Sequence, residues 1–415
     1  MLGYRLALQN GSTPLNASFN GPGANGEVLF GTSTVNSNYH ITVLTQPTGP
    51  AQTCVVVNGD GVTGTTDVTN IAVTCTTNPA RFAYATNRGS GDVSGYTIDA
   101  ASGALTPIAG SPFAAGGSPA AIAVDPTGSF AYVANQGSST VSAYTIDRST
   151  GILVVVPGSP FGTPIDPTSV AIDPSGSLVF VTSGSGGTVS VYTIAAGSGA
   201  LTALPGSLIA TGRSPSAAVV DPLGQFLYVA NKTDGTFAAL TIDPTGLLSA
   251  NAGSPFAAGA SPGALALDPT GRILYIVNTT PNTLSAMGGL PISSAAPVAP
   301  ISGSPYATGT VPTSIAVEPV NGFVYVANQI SDSVSGFKLN GSDGTLTALA
   351  VSPFATGLQP SAVAVDPTGK FAYVANSGDG SIEAYTIDPV SGALTALPGA
   401  PLATGTFPSA IAISD

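Results

Sequence analysis

The 415 residues include 43% hydrophobic but only 7% charged side chains, with a net charge of −12 at pH 7, against about 25% charged in an ordinary soluble domain. The nine Lys and Arg are scattered without a run, so nucleic acid is not an expected partner, and no apolar run approaches the ~18 residues of a membrane span. Val, Ile, Tyr and Phe set between Gly and Pro punctuation argue for a folded all-β chain rather than disorder, made soluble largely by Ser, Thr, Asn and backbone, a composition expected of a protein working outside the cell.

The opening MLGYRLALQNGS lacks the charged head and apolar stretch of a secretory signal, so an exported protein is expected to have had its signal removed or left out. The alternating runs ANGEVLFGT, YHITVLTQ, CVVVNG and VTNIAVTC, bounded by turn residues, read as strands of a small antiparallel sandwich. Cys54 and Cys75, the only cysteines, both lie in this strand-like text and are too few for a four-ligand zinc site. A disulfide between them would stabilise by roughly 3 kcal/mol on the chain-entropy estimate and would indicate an oxidising compartment; the alternative is two buried thiols. His40, the only histidine, sits beside Tyr39 in an alternating run and reads as a strand residue.

Composition shifts at Thr77-Asn78-Pro79, dividing the chain into a module over 1–79 and a periodic region over 80–415. Aromatic-x-x-Asn or a close variant recurs at Tyr84 to Asn87, Tyr132 to Asn135, Phe180 to Ser183, Tyr228 to Asn231, Tyr275 to Asn278, Tyr325 to Asn328 and Tyr373 to Asn376, at spacings of 47 to 50 residues. That period is close to the ~40–50 residues of a four-stranded propeller blade. In residues 118–163, Ser118-Pro119-Ala-Ala-Ile-Ala-Val is a first strand, and Asp125-Pro-Thr-Gly128 is a turn in which Asp caps, Pro presets φ and Gly takes the positive φ. Phe130 to Asn135 is the second strand, Thr140 to Asp147 the third, and Ile152 to Val156 an outer fourth, closed by Gly158-Ser-Pro-Phe161. The periodic region opens on a second strand, Arg81-Phe-Ala-Tyr84, and ends on a first strand, Pro408-Ser-Ala-Ile-Ala-Ile413. Each fragment completes the other, so the expected architecture is a seven-bladed β-propeller closed by its C-terminal strand, which removes both exposed edges. Between Asn278 and Tyr306 the fifth unit loses its Tyr-Thr-Ile-Asp and reads LSAMGGLPISSAAPVAP instead.

Tyr-Val-Ala-Asn with Asp-Pro-Thr-Gly at this spacing resembles the YVTN repeat, and residues 80–415 resemble the lactonase-like propellers that include 6-phosphogluconolactonase. The resemblance implies the propeller fold; it constrains function less, because that family also includes surface antigens. LALQNGS, YHITVLTQPTGPAQTC and VTNIAVTC resemble the small immunoglobulin-like modules of bacterial surface proteins. That pattern implies a further strand before Leu2, or an edge that a neighbouring molecule fills.

A lactonase needs groups that activate water or polarise an ester, and the resemblance implies centres drawn from His, Arg and Glu. The periodic region has no His, Cys or Trp, which rules out Ser-His-Asp, Cys-His and histidine-zinc sites within it. Most of its acids belong to the repeat: Asp125, Asp173, Asp221, Asp268, Glu318 and Asp366 in the first turn, and Asp99, Asp147, Asp243 and Asp388 after the third strand. Turn capping explains them, so no metal or cofactor is expected, and the face they occupy should be strongly negative. The opposite face takes the second-to-third loops and blade connections, and there the repeat departs from itself. Arg88 and Lys232 follow second strands where other blades have Gln136, Gly184, Thr279, Gln329 or Ser377; Asp166 replaces the Ser of Ser-Pro, and Arg213 precedes the next Ser-Pro. Any pocket is expected at the channel mouth on this face, with Arg88, Asp166, Arg213 and Lys232 as the ligand-binding candidates: Arg213 and Lys232 as anion contacts, Asp166 as the acid. The simpler reading is an Asp166–Arg213 ion pair between adjacent blades. Glu383, on a third strand, is expected on a solvated face.

Two functions fit this text. In the first, a secreted or cell-surface ring binds, adheres or assembles, without membrane insertion, its partner being a protein, a glycan or copies of itself through strand donation. The second is a lactonase-type hydrolase acting at the channel mouth. Low charge, repeat-explained acids and the missing catalytic side chains place the first ahead.

Overall fold

The computed structural model describes residues 56–62, 82–290, 298–399 and 401–414 in full, and the backbone of strands elsewhere before residue 78. The chain divides into Met1–Asn78 and Pro79–Asp415. In the first unit Ala7–Asn10 pairs antiparallel with Thr13–Leu15 and with Asn38–Thr45, which also takes Asp60–Val62, while Gln52–Val57 pairs with Ala72–Thr77. His40 is a strand residue opposite Asp60, and Cys54 is opposite Cys75. The cysteine side chains, and the sheet packing that an immunoglobulin-like sandwich requires, lie outside the described residues.

Seven five-stranded antiparallel sheets make the second unit. In blade two the strands are Pro119–Val124, Phe130–Asn135, Thr140–Ile146 and Leu153–Val155. The Gly-Ser-Pro-Phe segment does more than close the blade: Phe161–Gly162 pairs with Val141 and Thr140, so two short pieces share the outer edge of the third strand. The serine holds the segment there, Ser159 Oγ accepting the Ala143 amide at 2.9 Å, as Ser111, Ser207, Ser254, Ser304 and Ser352 do in their blades. The ring closes where the two ends of the repeat require, with Pro408–Ser414 along Phe82–Asn87 and Ile411 opposite Ala85.

Neighbouring blades sandwich each second strand, so the core is a series of seams. Between blades one and two, Phe82, Tyr84 and Val93 meet Ile122, Val133 and Tyr144; at the closure, Tyr373 and Ile382 meet Ala83, Tyr96 and Ile411. The recurrent tyrosine adds a polar lock. Tyr132 Oη donates to the Gly199 carbonyl in the third-to-fourth turn of the next blade at 2.9 Å. Tyr84, Tyr275, Tyr325 and Tyr373 do the same to Gly151, Gly344, Gly392 and Gly103 at 2.7 to 3.1 Å. Gly199 is required twice over, by a φ of +72° and because a Cβ would stand 2.3 Å from the Phe130 ring. Blade three has Phe180 at this position, and Tyr228 Oη has no partner among the described residues. The acceptor for Tyr228 would come from the rewritten turn of blade five, where residues 291–297 lie outside the description.

The first-turn acids are caps. Asp125 Oδ1 accepts the Ser129 and Phe130 amides and Oδ2 the Thr127 amide, and Asp366 repeats this with Lys370, Phe371 and Thr368. Glu318 reaches the amides of Val320 and Asn321. All six are buried, Asp125 5% and Glu318 0% exposed. The strongly negative face is thereby reduced to the exposed acids Asp99, Asp147, Asp243, Asp343 and Asp388 among the described residues. Hydrogen bonds from Ser102, Ser149, Thr245, Thr345 and Ser391 hold these carboxyls below their ordinary range, Asp147 at about 2. Among the described residues no group of three or more His, Cys, Asp or Glu could hold a metal ion.

Candidate functional site at the channel mouth

One backbone device builds the opposite face in every blade. The residue before each entrance proline has a positive φ, from 49° at Ser118 to 63° at Asp166. Non-glycine residues enter this region sparsely, and for a β-branched residue such as Val311 (φ 53°) it is a true outlier. The carbonyl of this residue accepts the amide that follows the second strand: Gly184 N to Asp166 O at 2.8 Å, Lys232 N to Ser214 O at 2.9 Å and Arg88 N to Phe407 O at 2.9 Å. After the proline, a bulge shifts the register in each blade, and bulges re-aim side chains. Repeated backbone thus brings three variable positions per blade to the channel.

The post-proline position forms a belt. Thr168, Ser216, Thr313, Ser361 and Ser409 donate their hydroxyls to the proline carbonyl of the following blade, respectively Pro215, Pro262, Pro360, Pro408 and Pro119, at 2.6 to 3.2 Å. Ala120 in blade two and Gly263 in blade five interrupt it.

A cavity of about 670 Å³ opens at this mouth, its lining including Arg88, Gln136, Asp166, Lys232, Gln359 and Phe407. Arg88 Nη2 donates to Gln136 Oε1. Asp166 Oδ2 accepts the Ser185 hydroxyl at 2.7 Å and lies over Gly184, where any Cβ would come within 2.8 Å of that oxygen. Charge therefore comes from blades one, three and four, while Gln329, Gln359 and Ser377 bring neutral amides and a hydroxyl from blades six and seven.

A family model described as lactonase, 7-bladed beta-propeller, matches residues 48–166, 113–211 and 163–408. The chain belongs to this lactonase propeller family. Among solved structures, a candidate 6-phosphogluconolactonase of Bacteroides uniformis shares 20% identity at a TM-score of 0.69, covering 81% of this chain and 100% of its own. One of Bacteroides fragilis shares 21% at 0.69, covering 81% and 98%. The periplasmic gluconolactonase of Pseudomonas aeruginosa shares 18% at 0.63, covering 81% and 99%. At such identities the likeness shows the fold. No curated protein matches the chain.

Of the four candidates, this lactonase-family ring gathers Arg88, Asp166 and Lys232 in the mouth cavity and leaves Arg213 outside its lining. Arg213 Nε donates to Asp234 Oδ1 at 2.6 Å and its backbone amide to Oδ2 at 2.7 Å; that amide and the guanidinium hold the Asp234 carboxyl low. The Asp166–Arg213 pair is not formed, because Asp234, in the second-to-third loop of Arg213's own blade, offers residue 213 both oxygens while Asp166 takes Ser185. Glu383 also departs from expectation: half-buried, it accepts the Gly357 amide and the Tyr385 hydroxyl. Phe407, Gln359 and the belt are site features that sequence reasoning did not reach. The signal that could have found the belt is the hydroxyl residue recurring after the entrance proline, as in Pro167-Thr168, Pro215-Ser216 and Pro360-Ser361.

Proposed function

We propose that the chain hydrolyses a lactone at the channel mouth. The observation that carries this reading is one cavity holding a carboxylate, Asp166, and two cations, Arg88 and Lys232, at the positions where the repeat departs from itself. Asp166 takes a proton from water as the water oxygen bonds to the lactone carbonyl carbon, and the charge developing on the carbonyl oxygen meets Lys232 or Arg88. The ring C–O bond then breaks and Asp166 returns the proton to the ring oxygen, leaving a hydroxy acid. Ser185 orients the carboxylate, and Gly184 leaves room for it. The lactonase-type relatives favour this chemistry over the adhesion and assembly role that composition placed first.

Hydrolysis of D-glucono-δ-lactone, with a panel of other lactones, tests the proposal. Asp166→Asn, which suits the positive φ, should lower kcat/KM by about 10²- to 10⁴-fold, and Lys232→Met by about 10²-fold. Arg213→Ala should leave turnover unchanged. A wild-type protein that turns over no lactone in the panel retires the reading.

A further inference from the structure

The break at Ala120 falls beside the acid of the proposed site. In the unbroken part of the belt the proline carbonyl is occupied: Thr168 Oγ1 donates to Pro215 O at 2.7 Å and Ser409 Oγ to Pro119 O at 2.8 Å. The repeat sets the Pro167 carbonyl against residue 120 in the same way, and there the side chain is a methyl group. No side-chain donor reaches Pro167 O among the described residues, although both Ala120 and Thr168 line the mouth cavity. Blade five, the other break, is patched: Thr279 Oγ1 extends to Pro312 O at 3.4 Å. In blade two the counterpart of Thr279 is Gln136, whose Oε1 accepts the Arg88 guanidinium; across the seam in blade three Gly184 has no side chain, and the Asp166 carboxylate fills its space.

Two hydrogen-bond acceptors of successive residues, the Asp166 carboxylate and the Pro167 carbonyl, therefore lie beside Gly184 and Ala120, which bring no side-chain donor, and Asp166, Gly184 and Ala120 all line the cavity. A ligand hydroxyl that donates to this carbonyl would make the hydrogen bond that the belt makes elsewhere.

We propose that this notch is the specificity-determining subsite of the mouth, that it receives adjacent hydroxyls of a polyhydroxylated ligand, one at Pro167 O and one at Asp166, and that Ala120 keeps it open. The inference rests on the lactone reading for the reaction but concerns binding, which can be measured without turnover. It gives a physical reason for a small residue at position 120: a hydroxyl side chain would close the belt from within and compete with the ligand for the carbonyl.

The test compares wild type, Ala120→Thr and Ala120→Gly for gluconate binding by calorimetry and for hydrolysis of D-glucono-δ-lactone. Threonine stands at the equivalent position in blades three and six, so Ala120→Thr should fold, with an unchanged or higher Tm as its hydroxyl takes Pro167 O. Its gluconate affinity should fall about tenfold, while Ala120→Gly, which keeps the notch open, should bind as wild type does. Equal affinity in Ala120→Thr and wild type overturns the notch and leaves the lactone reading standing. Wild-type binding without hydrolysis of any lactone in the panel retires the lactone reading, and the Thr-to-wild-type affinity ratio still decides the notch: a tenfold loss supports it and no loss overturns it. A wild type that binds no gluconate overturns the notch as a polyol subsite.

Discussion

On the face where the Asp-Pro-Thr-Gly turns emerge, six acids give their oxygens to the amides of their own turns and are buried by doing so. On the face where the blades connect, Asp166, Arg88 and Lys232 line an open cavity, and among the described residues the Asp166 carboxylate accepts the hydroxyl of Ser185 and the Arg88 guanidinium donates to Gln136. Both faces rest on repeated backbone devices, a capped turn on one and a left-handed residue, proline and bulge on the other. The capped turn needs the same side chain each time because that side chain makes the turn. In the connection the side chain of the left-handed residue does not make the geometry, so Ser, Asp, Gln, Val and Phe can all occupy that position. Variation at fixed geometry is therefore where ligand recognition can differ from blade to blade.

Substitutions that interchange the behaviour of the two faces test this contrast. Asp125→Ala should be the most damaging to stability, by about 3 kcal/mol, because three amides at the turn lose a charged acceptor together. Lys232→Met, on the other face, should change stability by no more than about 0.5 kcal/mol. Thermal unfolding of both variants checks the pair; equal losses would erase the distinction between structural and presenting polar groups.

The seams offer a sharper comparison, since the same tyrosine is locked in five blades and in one has no partner among the described residues. Tyr132→Phe should cost about 1 kcal/mol, the net worth of one buried hydrogen bond whose acceptor, Gly199 O, is then left bare. Tyr228→Phe should be neutral or slightly stabilising, because it removes a buried hydroxyl with no partner among the described residues. Phe180, already at that position in blade three, shows that the seam tolerates the ring alone.

The ring was legible because its determinants are local and repeated: a half-blade at each end of the periodic text, an Asp-Pro turn, an aromatic at a fixed spacing. The fifth short strand was not, since Phe161–Gly162 pairs through two residues, too few for any alternation to register. At the mouth, Arg88, Asp166 and Lys232 were found as departures from the repeat. Arg213 looked the same in one dimension, but which way a long side chain turns depends on the nearest carboxylate in space, and that was Asp234, a loop of its own blade. The belt went unread because Thr168 or Ser216 in a strand is unremarkable until the bulge turns it toward the next blade's proline.

The smallest expected effect concerns the one cap that is not aspartate. Glu318 carries an extra methylene, is fully buried, and packs its Oε1 into the space where a Cβ of Gly369 on the next blade would stand. Burial raises its carboxyl above the ordinary 4.5, against amide hydrogen bonds from Val320 and Asn321 that act to lower it. In the pH window between the unfolded and the raised folded value the native state binds more protons than the unfolded chain, so stability must fall as pH rises through that window and level off above it. Glu318→Gln cannot ionise and loses one acceptor, which gives a fixed offset but no slope. The difference in Tm between wild type and Glu318→Gln should therefore shift against wild type as pH climbs from about 4 to 8. A constant difference across that range would mean that the buried amides hold the carboxylate as well as water does.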